Sequence, residues 1–147
     1  MRVLVLGADG YLGWPTCMHL SASGMEVAGI DNYFRRRAAM ELDCEPLVQT
    51  PNLIRRAEIW KEITGRQIGV HIGDCTDYDF LLSVMREFRP DAVVHYAEQP
   101  SAPYSMLGYR EAAFTLKNNL MGTLNVAYAI RETNPDCHFV KLGTMGE

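Results

Sequence analysis

Three glycines spaced three residues apart, Gly7, Gly10 and Gly13, follow directly on the apolar run 3–6. An apolar strand, a glycine turn and the start of a helix form the arrangement that binds the pyrophosphate of a dinucleotide. The first glycine permits a tight turn, the second lets a phosphate approach the backbone, and the third allows close packing of the helix on the strand. The free N–H groups and the positive dipole end of that helix would attract the phosphates.

An acidic residue after the next apolar run, 27–30, favours this interpretation over that of an ordinary glycine-rich loop. Asp31 lies about 20 residues past the turn, where a carboxylate accepts hydrogen bonds from the adenosine ribose hydroxyls. Three arginines follow, Arg35, Arg36 and Arg37, which either lie in a solvated loop or helix start or surround the adenosine end with positive charge. They could also hold the 2′-phosphate of NADP, but the charge of Asp31 would repel it, so we expect NAD.

Polar side chains at the ends of later strands could complete the site. Asp74 could accept from the adenine amino group or cap the next helix, for which Asp77 is the better candidate. The segments 96–99 and 143–147 should meet the glycine turn in one crevice, because ligands bind outside the carboxyl ends of parallel strands. The polar groups expected in that crevice are Thr144, Glu147, Glu98, Gln99 and Asn119.

Two of these groups could perform chemistry on a substrate. The hydroxyl of Thr144, beside a nicotinamide, could bind a substrate oxygen as it becomes a carbonyl, and the carboxylate of Glu147 could serve as general base. The alternative is that both are ordinary loop residues. We interpret His95 as a buried strand residue rather than a catalytic one, and the scattered histidines predict no metal site.

The elements that must position these residues alternate along the chain. Strands are predicted at 2–6, 26–30, 68–72, 91–95 and 137–142, and helices at 11–23, 52–64, 78–88 and 110–133. This alternation predicts an α/β fold of Rossmann type, a doubly wound parallel sheet with the strand order 3-2-1-4-5. Residues 38–64 are expected as an insertion on the adenosine side, and residues 101–106 as a polar loop fixed by proline.

Residues with poor helix propensity indicate other constraints on two of these helices. Pro15 should distort or delay the first turn of the first helix. The adjacent Asn118 and Asn119 and the nearby Gly122 are poor choices for the middle of the last helix. We infer that something other than helix propensity selected the two asparagines.

Composition narrows the class of protein. A chain of 147 residues can form one domain with a real core, and the formal net charge of −4 disfavours a general nucleic-acid binder. No apolar run approaches the roughly 20 residues of a membrane span, and we expect no signal peptide. The cysteines lack any C-x-x-C spacing and are predicted to be small apolar fillers in a reducing compartment: Cys17, Cys44, Cys75 and Cys137.

Several motifs together resemble the extended short-chain dehydrogenase/reductase superfamily, which includes NAD-dependent epimerases and dehydratases. They are the glycine pattern, Asp31-Asn32, Gly73-Asp74 and the Asn-x-x-Gly-Thr-x-Asn order of residues 119–125. Within it, the chain is most similar to the UDP-sulfoquinovose synthase family, through the segment 101–106 among others and most specifically through Asn118-Asn119 and the segment 141–147. The resemblance implies NAD as cofactor and a UDP-sugar and sulfite as substrates. UDP-glucose would be oxidised at C4, lose water across C5 and C6, gain sulfite at C6 and recover the hydride.

The resemblance also implies roles for single residues. The catalytic residues would be Thr144, Glu147 and Asn119. The residues expected to bind NAD are Gly7, Gly10, Tyr11, Leu12, Gly13, Asp31, Asn32, Arg35, Asp74, Cys75, Tyr96, Ala97 and Glu98. The residues expected to bind the sugar nucleotide are Gln99, Ser101, Ala102, Tyr104, Met106 and Met145.

The sequence departs from the family pattern in two places. Pro100 stands where the family usually has an arginine, a natural partner for sulfite, so a UDP-sugar 4-epimerase or 4,6-dehydratase is an alternative. The catalytic Tyr-x-x-x-Lys pair, which in the family lies beyond the fifth strand, does not occur in the chain. We therefore expect residues 1–147 to be the NAD-binding N-terminal part of a longer enzyme, inactive alone, with a non-catalytic NAD(H)-binding module as the other alternative. The complete enzyme is expected to be a homo-oligomer in the cytoplasm, or in the plastid stroma of a plant.

Overall fold

The computed structural model describes residues 1–44 and 46–143. The strands in this part of the chain are β1 (Arg2–Leu6), β2 (Glu26–Asp31), β3 (Ile68–Ile72), β4 (Ala92–His95) and β5 (His138–Lys141). The helices are α1 (Gly13–Ala22), α2 (Phe34–Glu41), α3 (Leu53–Thr64), α4 (Tyr78–Phe88), the single turn α5 (Ala102–Ser105) and α6 (Tyr109–Thr133).

The described strands form a parallel sheet in the order β3-β2-β1-β4-β5. Leu6, the last residue of the central strand β1, pairs with Ile30 of β2 and with His95 of β4. The carboxyl ends of these three strands therefore lie at one level, on the edge where α/β sheets bind ligands. The predicted Rossmann-type fold and strand order are confirmed.

Both faces of β1 are buried from Val3 to Leu6, which explains why this strand is apolar after Arg2. Leu4 and Leu6 lie on one face, in a core shared with residues of α4 and α6. Val3 and Val5 lie on the other face, in a core shared with Trp14 and with residues of α3. Alternate side chains of a strand point to opposite faces, so a central strand covered on both sides has no polar position.

Capping residues and glycines set the helix ends where the sequence predicts them. The side chains of Asn52 and Asp77 accept hydrogen bonds from backbone N–H groups in the first turns of α3 and α4. Gly24 and Gly65, with φ of +84° and +71°, follow the ends of α1 and α3. A left-handed residue after the last turn stops a helix, and glycine adopts it without steric strain.

The first helix begins late, as the position of Pro15 predicts. Helix α1 starts at Gly13, two residues after the predicted start at residue 11. On either side of the proline, Trp14 N and Thr16 N donate to Gly10 O and Leu12 O at 3.3 and 3.1 Å. The proline nitrogen carries no hydrogen and cannot donate the bond between them.

Two helices depart from the sequence prediction. Residues 34–41 form α2, although the sequence offered only a solvated loop or a helix start there. The segment predicted as a polar loop contains the turn α5, whose N-cap Ser101 accepts a hydrogen bond from Tyr104 N at 3.2 Å. Both helices are short and lack an apolar period, so the sequence pattern does not reveal them.

Two features of composition are also visible in the structure. In residues 1–44 and 46–143, no helix combines the length and apolarity that a membrane crossing requires. Cys17, Cys75 and Cys137 are buried, as predicted for small apolar fillers, but Cys44 is exposed. The prediction for Cys44 was wrong because it lies past the end of α2, in a segment that contributes nothing to either core.

Candidate functional site

A cleft of about 360 Å³ opens at the carboxyl edge of the sheet. It is lined by the turn after β1, the end of β2 with the residues that follow, and the segment after β4. Of the residues predicted to bind the cofactor, all except Asp74 line this cleft. Its lining also includes residues that sequence reasoning did not single out as ligands: Asp9, Ile30, Phe34, Gly73, Pro100, Asn118 and Leu142.

The glycine turn is packed so tightly that two of its three glycines have no room for a side chain. Gly7 has φ of +79°, and a Cβ there would lie 2.8 Å from the carbonyl carbon and oxygen of Tyr96. A Cβ on Gly13 would lie 2.0 Å from Gly7 O, so α1 crosses the turn in backbone contact. At Gly10 the nearest atom would be Gly7 O at 3.0 Å, and this glycine lines the open cleft. Gly10 is therefore the glycine whose missing side chain leaves space for a ligand.

Asp31 connects the end of β2 to the glycine turn. Its carboxylate accepts hydrogen bonds from Asp9 N at 2.9 Å and from Tyr33 N at 2.7 Å. Burial raises the pKa of Asp31, and the two backbone donors act in the opposite direction. Each oxygen keeps a further lone pair, so the carboxylate can still accept bonds from a diol in the cleft.

Asp74 is occupied by protein contacts and does not line the cleft. It accepts bonds from Thr76 N and Thr76 Oγ1, both at 2.8 Å, and from Asn32 Nδ2 at 2.9 Å. Partial burial opposes ionisation, but these hydrogen bonds hold the pKa of Asp74 below its ordinary value. The adjacent Gly73 and Cys75 line the cleft instead, and Asp77 caps α4 as predicted.

The three consecutive arginines have three different positions. Arg35 lines the cleft. Arg36 is not part of the cleft lining and forms an ion pair with Asp9, with Nε 2.6 Å from Oδ2. The guanidinium of Arg37 donates to the backbone oxygen of Asn32. Only Arg35, of the three, borders the space in which a ligand would lie.

The two adjacent asparagines of α6 fix the segment that follows β4. Asn118 Nδ2 donates to Ala97 O at 3.1 Å. Asn119 accepts from Gln99 N at 2.8 Å and donates to Gln99 O at 3.1 Å. These bonds satisfy backbone groups beyond the end of a strand, where no neighbouring strand can do so. The inference that helix propensity did not select these residues is confirmed.

Gln99 is the centre of a second set of bonds. Its side-chain amide donates to Ser101 O and to Thr115 Oγ1, both at 3.0 Å, and accepts from Ser101 N at 2.7 Å. The residue is buried and also lines the cleft. The backbone from Ala97 to Ser101 is therefore held by side chains of α6 and by Gln99 itself.

Gly122 and Asn125, one and two turns further along α6, let this helix approach the sheet closely. A Cβ on Gly122 would lie 3.2 Å from Cys75 Sγ and 3.6 Å from two atoms of the His95 ring. Asn125 Nδ2 donates to Cys75 O at 3.0 Å. His95 is completely buried, as predicted, and its Nδ1 accepts from Ala97 N at 3.3 Å. Burial lowers the pKa of His95, so the ring is neutral at pH 7.

The residues predicted to bind a sugar nucleotide are less closely grouped than those predicted to bind the cofactor. Gln99 lines the cleft, but Ser101 caps α5, and Ala102 and Met106 are exposed. Tyr104 packs edge to face against Phe34 with ring centroids 5.5 Å apart. The predicted residues Thr144, Met145 and Glu147 lie outside the described residues.

One ion pair lies beside the cleft at the β4–β5 side. Glu98, which lines the cleft, lies 3.1 Å from Lys141 Nζ at the end of β5. The pair links the segment after β4 to the end of β5. Residues 144–147, which were predicted to share this crevice, lie outside the described residues.

Comparison with known proteins identifies related sequences. The model of the NAD dependent epimerase/dehydratase family matches residues 3–147. The chain is 45% identical over 146 residues to the chloroplastic UDP-sulfoquinovose synthase of Spinacia oleracea, covering 99% of this chain and 30% of that protein. It is 44% identical over 147 residues to the UDP-sulfoquinovose synthase of Sulfolobus acidocaldarius, covering 100% of this chain and 37% of that protein. The chain thus spans about a third of the length of these relatives.

Solved structures show the same fold. UDP-glucose 4-epimerase from Bifidobacterium longum, in complex with NAD⁺ and UDP, matches with a TM-score of 0.76 at 22% identity, over 99% of this chain and 37% of that one. The Thermus thermophilus UDP-glucose 4-epimerase, in complex with NAD, matches with a TM-score of 0.63 at 29% identity, over 90% of this chain and 34% of that one. The matched family is NAD dependent, in agreement with the cofactor predicted from the sequence.

Proposed function

Because the chain belongs to the NAD dependent epimerase/dehydratase family, we propose that it is the NAD-binding part of a nucleotide-sugar enzyme of the UDP-sulfoquinovose synthase type. The observation that supports this most directly is the contact between the glycine turn and the acid of β2. Asp9 N, inside the turn, donates to Asp31 Oδ2 at 2.9 Å. The two features that recognise pyrophosphate and ribose are thereby fixed against each other in one cleft.

The residues of the cleft fit a dinucleotide. In the part of the chain that the structure describes, no side chain caps the N-terminus of α1. Trp14 N and Thr16 N are already bonded to Gly10 O and Leu12 O, and Pro15 has no N–H, so the donors for an anion are the backbone N–H groups just before Trp14. The helix dipole favours an anion at the same end. Gly10 leaves space for the phosphates, and the carboxylate of Asp31 would accept from the adenosine ribose hydroxyls.

The other half of the cleft would hold the reacting end of the cofactor. Bound NAD would supply a hydride acceptor for C4 of the sugar, and the reduced cofactor would return the hydride. Asn119 holds the backbone of Gln99, so it would keep the wall of the site in place. By similarity to the family, Thr144 would bind the C4 oxygen and Glu147 would move the proton in the loss of water across C5 and C6.

The cofactor proposal is tested by titrating the chain with NAD and NADP in a calorimeter. We expect saturable binding of NAD, with NADP at least about tenfold weaker because its extra phosphate would approach Asp31. Asp31→Asn should weaken NAD and reduce the preference, whereas the exposed Asp43→Asn should change neither. A folded wild-type chain that takes up no NAD would overturn the proposal.

The chain alone should show no sustained turnover, because it contains no Tyr-x-x-x-Lys pair. The assay is the absorbance of NADH after addition of NAD and UDP-glucose. Continued product formation without another chain would contradict this expectation and would require a different proton-transfer group.

A second candidate, a UDP-sugar 4-epimerase or a 4,6-dehydratase, is favoured by one position. Pro100 lines the cleft where an arginine could otherwise meet sulfite. The chain is also 30% identical over 135 residues to UDP-glucose 4-epimerase of Bacillus subtilis, covering 90% of this chain and 33% of that protein. Chromatography coupled to mass spectrometry of the products of the full-length gene product separates the candidates, because UDP-galactose has the same mass as UDP-glucose and is distinguished from it by retention time. A sulfonated sugar formed only when sulfite is present supports the first, and UDP-galactose or a 4-keto-6-deoxy sugar supports the second.

A further inference from the structure

The glycine turn contains a buried acid. Asp9 lies between Gly7 and Gly10 and is only 4% exposed. Two arginines bind its carboxylate. Arg36 makes two contacts, Nε to Oδ2 at 2.6 Å and Nη2 to Oδ1 at 3.0 Å. Arg56 Nη2 donates to Oδ1 and also to the backbone oxygen of Asp9, the latter at 3.1 Å.

Both arginines come from the connection between β2 and β3. Arg36 lies on α2 and Arg56 on α3. This connection was expected to cover the adenosine side, but side chains of these two helices also contact Asp9 in the glycine turn. An ordinary crossover between parallel strands needs a single helix, so the second helix supplies the second cation.

Each arginine is itself held in place. Arg36 donates to Thr50 O at 3.0 Å and to Pro51 O at 2.8 Å. The guanidinium of Arg56 lies over the ring of Trp14, 5.0 Å from its centroid. Trp14 belongs to the first turn of α1, so Arg56 contacts the turn and the helix that follows it.

The charges explain why such an arrangement is needed. A lone carboxylate inside a phosphate-binding turn would repel the pyrophosphate. With two guanidinium groups the cluster has a net charge of +1, and the acid is neutralised where it is buried. A buried carboxylate without its partners would be strongly destabilising, so the acid and the arginines depend on each other.

We propose that Asp9, Arg36 and Arg56 form an ion cluster that holds the glycine turn in its phosphate-binding shape and makes this side of the cleft positive. Arg36 and Arg56 are positioning residues: they act on the dinucleotide through Asp9 and the backbone of the turn. The proposal deepens the proposed function and rests on it for the identity of the ligand. It assigns the connection between β2 and β3 a part in binding the pyrophosphate.

The chain contains a matched pair of residues for the test. Arg55 precedes Arg56 on α3 but points to solvent, where it pairs with Glu58 and Glu62 at 3.0 and 3.1 Å. Arg55→Gln and Arg56→Gln therefore remove the same charge from adjacent positions of one helix. The ligands are NAD, ADP-ribose and adenosine, titrated at low salt.

We expect Arg56→Gln to weaken NAD and ADP-ribose about tenfold and adenosine by less than about twofold, because only the first two carry the pyrophosphate. Arg55→Gln should leave all three affinities within about twofold. Arg56→Lys, which keeps the charge, should recover part of the loss. Arg36→Gln, at a more exposed position, should act in the same direction and serves if Arg56→Gln does not fold.

Hydrogen exchange of the amides in residues 7–13 provides a readout that does not depend on the ligand. The exchange should be faster in Arg56→Gln than in Arg55→Gln. Equal affinities and equal exchange in Arg56→Gln and Arg55→Gln would overturn the proposed ion cluster. A loss of adenosine binding in Arg56→Gln as large as the loss of NAD binding would also overturn it, because such a loss indicates a general loosening of the cleft. Absence of NAD binding by the folded wild-type chain would instead overturn the proposed function, while the exchange still decides whether the cluster holds the turn.

Discussion

The side-chain amide of Asn119 pairs with the backbone of Gln99 through both of its ends. Its Oδ1 accepts from Gln99 N at 2.8 Å, and its Nδ2 donates to Gln99 O at 3.1 Å. The amide thus takes the place that a neighbouring strand would have if β4 continued past His95. Because Gln99 lines the cleft, a residue in the middle of α6 determines the shape of the site.

Replacing this amide should cost stability. In Asn119→Ala both backbone groups of Gln99 lose their partner, and we expect about 2 kcal/mol less free energy of unfolding. Urea unfolding measures the change, with Lys117→Ala on the exposed side of the same helix as control, expected within about 0.5 kcal/mol of wild type. If the two variants were equally stable, the pairing would contribute nothing.

The glycines of the turn should separate into two classes. In Gly13→Ala the new Cβ would lie 2.0 Å from Gly7 O, so the helix must move and we expect a loss of more than about 3 kcal/mol. In Gly10→Ala the nearest contact is 3.0 Å and the fold should persist, but the methyl group enters the space for the phosphates. Thermal unfolding and NAD titration together distinguish the two variants. Gly10→Ala should unfold near the wild-type temperature but bind NAD poorly, whereas Gly13→Ala should be destabilised. A Gly10→Ala variant that binds like wild type would show that the phosphates lie elsewhere.

Sequence patterns were sufficient for elements whose burial is regular. The bounds of β1, β3 and α4 agree with the prediction to the residue. β1 is buried on both faces and has no polar residue after Arg2, and α4 has an N-cap in Asp77 and a single apolar face. In these elements local propensity and tertiary packing favour the same structure.

Long-range polar contacts could not be predicted in the same way. Helix α2 has only Ala38 buried, and Arg36 on it is held by Asp9, 27 residues away in the chain. Arg56 has the pattern of a surface residue on α3, yet it reaches the glycine turn. The adjacent asparagines showed that a constraint existed, but not that Ala97 and Gln99 were its targets.

An aromatic cluster connects α2 to α5 and α6, and we expect it to hold the segment that follows β4. Phe34 stacks on Phe114 of α6 with ring centroids 4.2 Å apart, and Tyr104 of α5 contacts both rings. Removing the central ring in Phe34→Ala should free α5, so we expect faster hydrogen exchange in residues 101–106. The control is Met40→Ala on the same helix, where the side chain is 79% exposed. Unchanged exchange in Phe34→Ala would mean that Ser101 and Gln99 hold the segment without the rings.

The thiols should differ sharply in reactivity. Burial raises the pKa of Cys17 and of Cys75 to about 12, and it also raises the pKa of Cys137. Cys44 is exposed. Since the thiolate is the nucleophile, a disulfide reagent at pH 8 should modify one thiol quickly in the native chain and all four in denaturant. Cys44→Ser should abolish the fast phase, and a second fast thiol in the native state would contradict the burial of Cys17, Cys75 or Cys137.

The buried ring of His95 should make the fold sensitive to mild acid. Burial lowers its pKa in the folded chain, and protonation would also remove the acceptor that Nδ1 offers to Ala97 N. The unfolded chain, with a histidine pKa of about 6.5, then binds more protons than the folded one. The contribution of neutral His95 to the free energy of unfolding is therefore fully present above about pH 6.5. It is lost as the pH falls towards the pKa of His95 in the folded chain, by at most about 1.4 kcal/mol per pH unit. Urea unfolding between pH 7.5 and 5.5 should show this slope.

Two variants test whether the pH dependence of the free energy of unfolding comes from the ring of His95. His95→Gln should flatten it, and His138→Gln, at an exposed position of β5, should leave it unchanged. If His95→Gln does not fold, NMR titration of the wild-type ring gives the same answer, because burial should lower the pKa of His95 below 6.5. Asp31 contributes with the opposite sign, because its raised pKa favours the folded state as the pH falls. The contribution of His95 is therefore taken from the difference in slope between wild type and His95→Gln. A His95 ring that titrates at its ordinary value would show that water reaches the ring between α6 and β4.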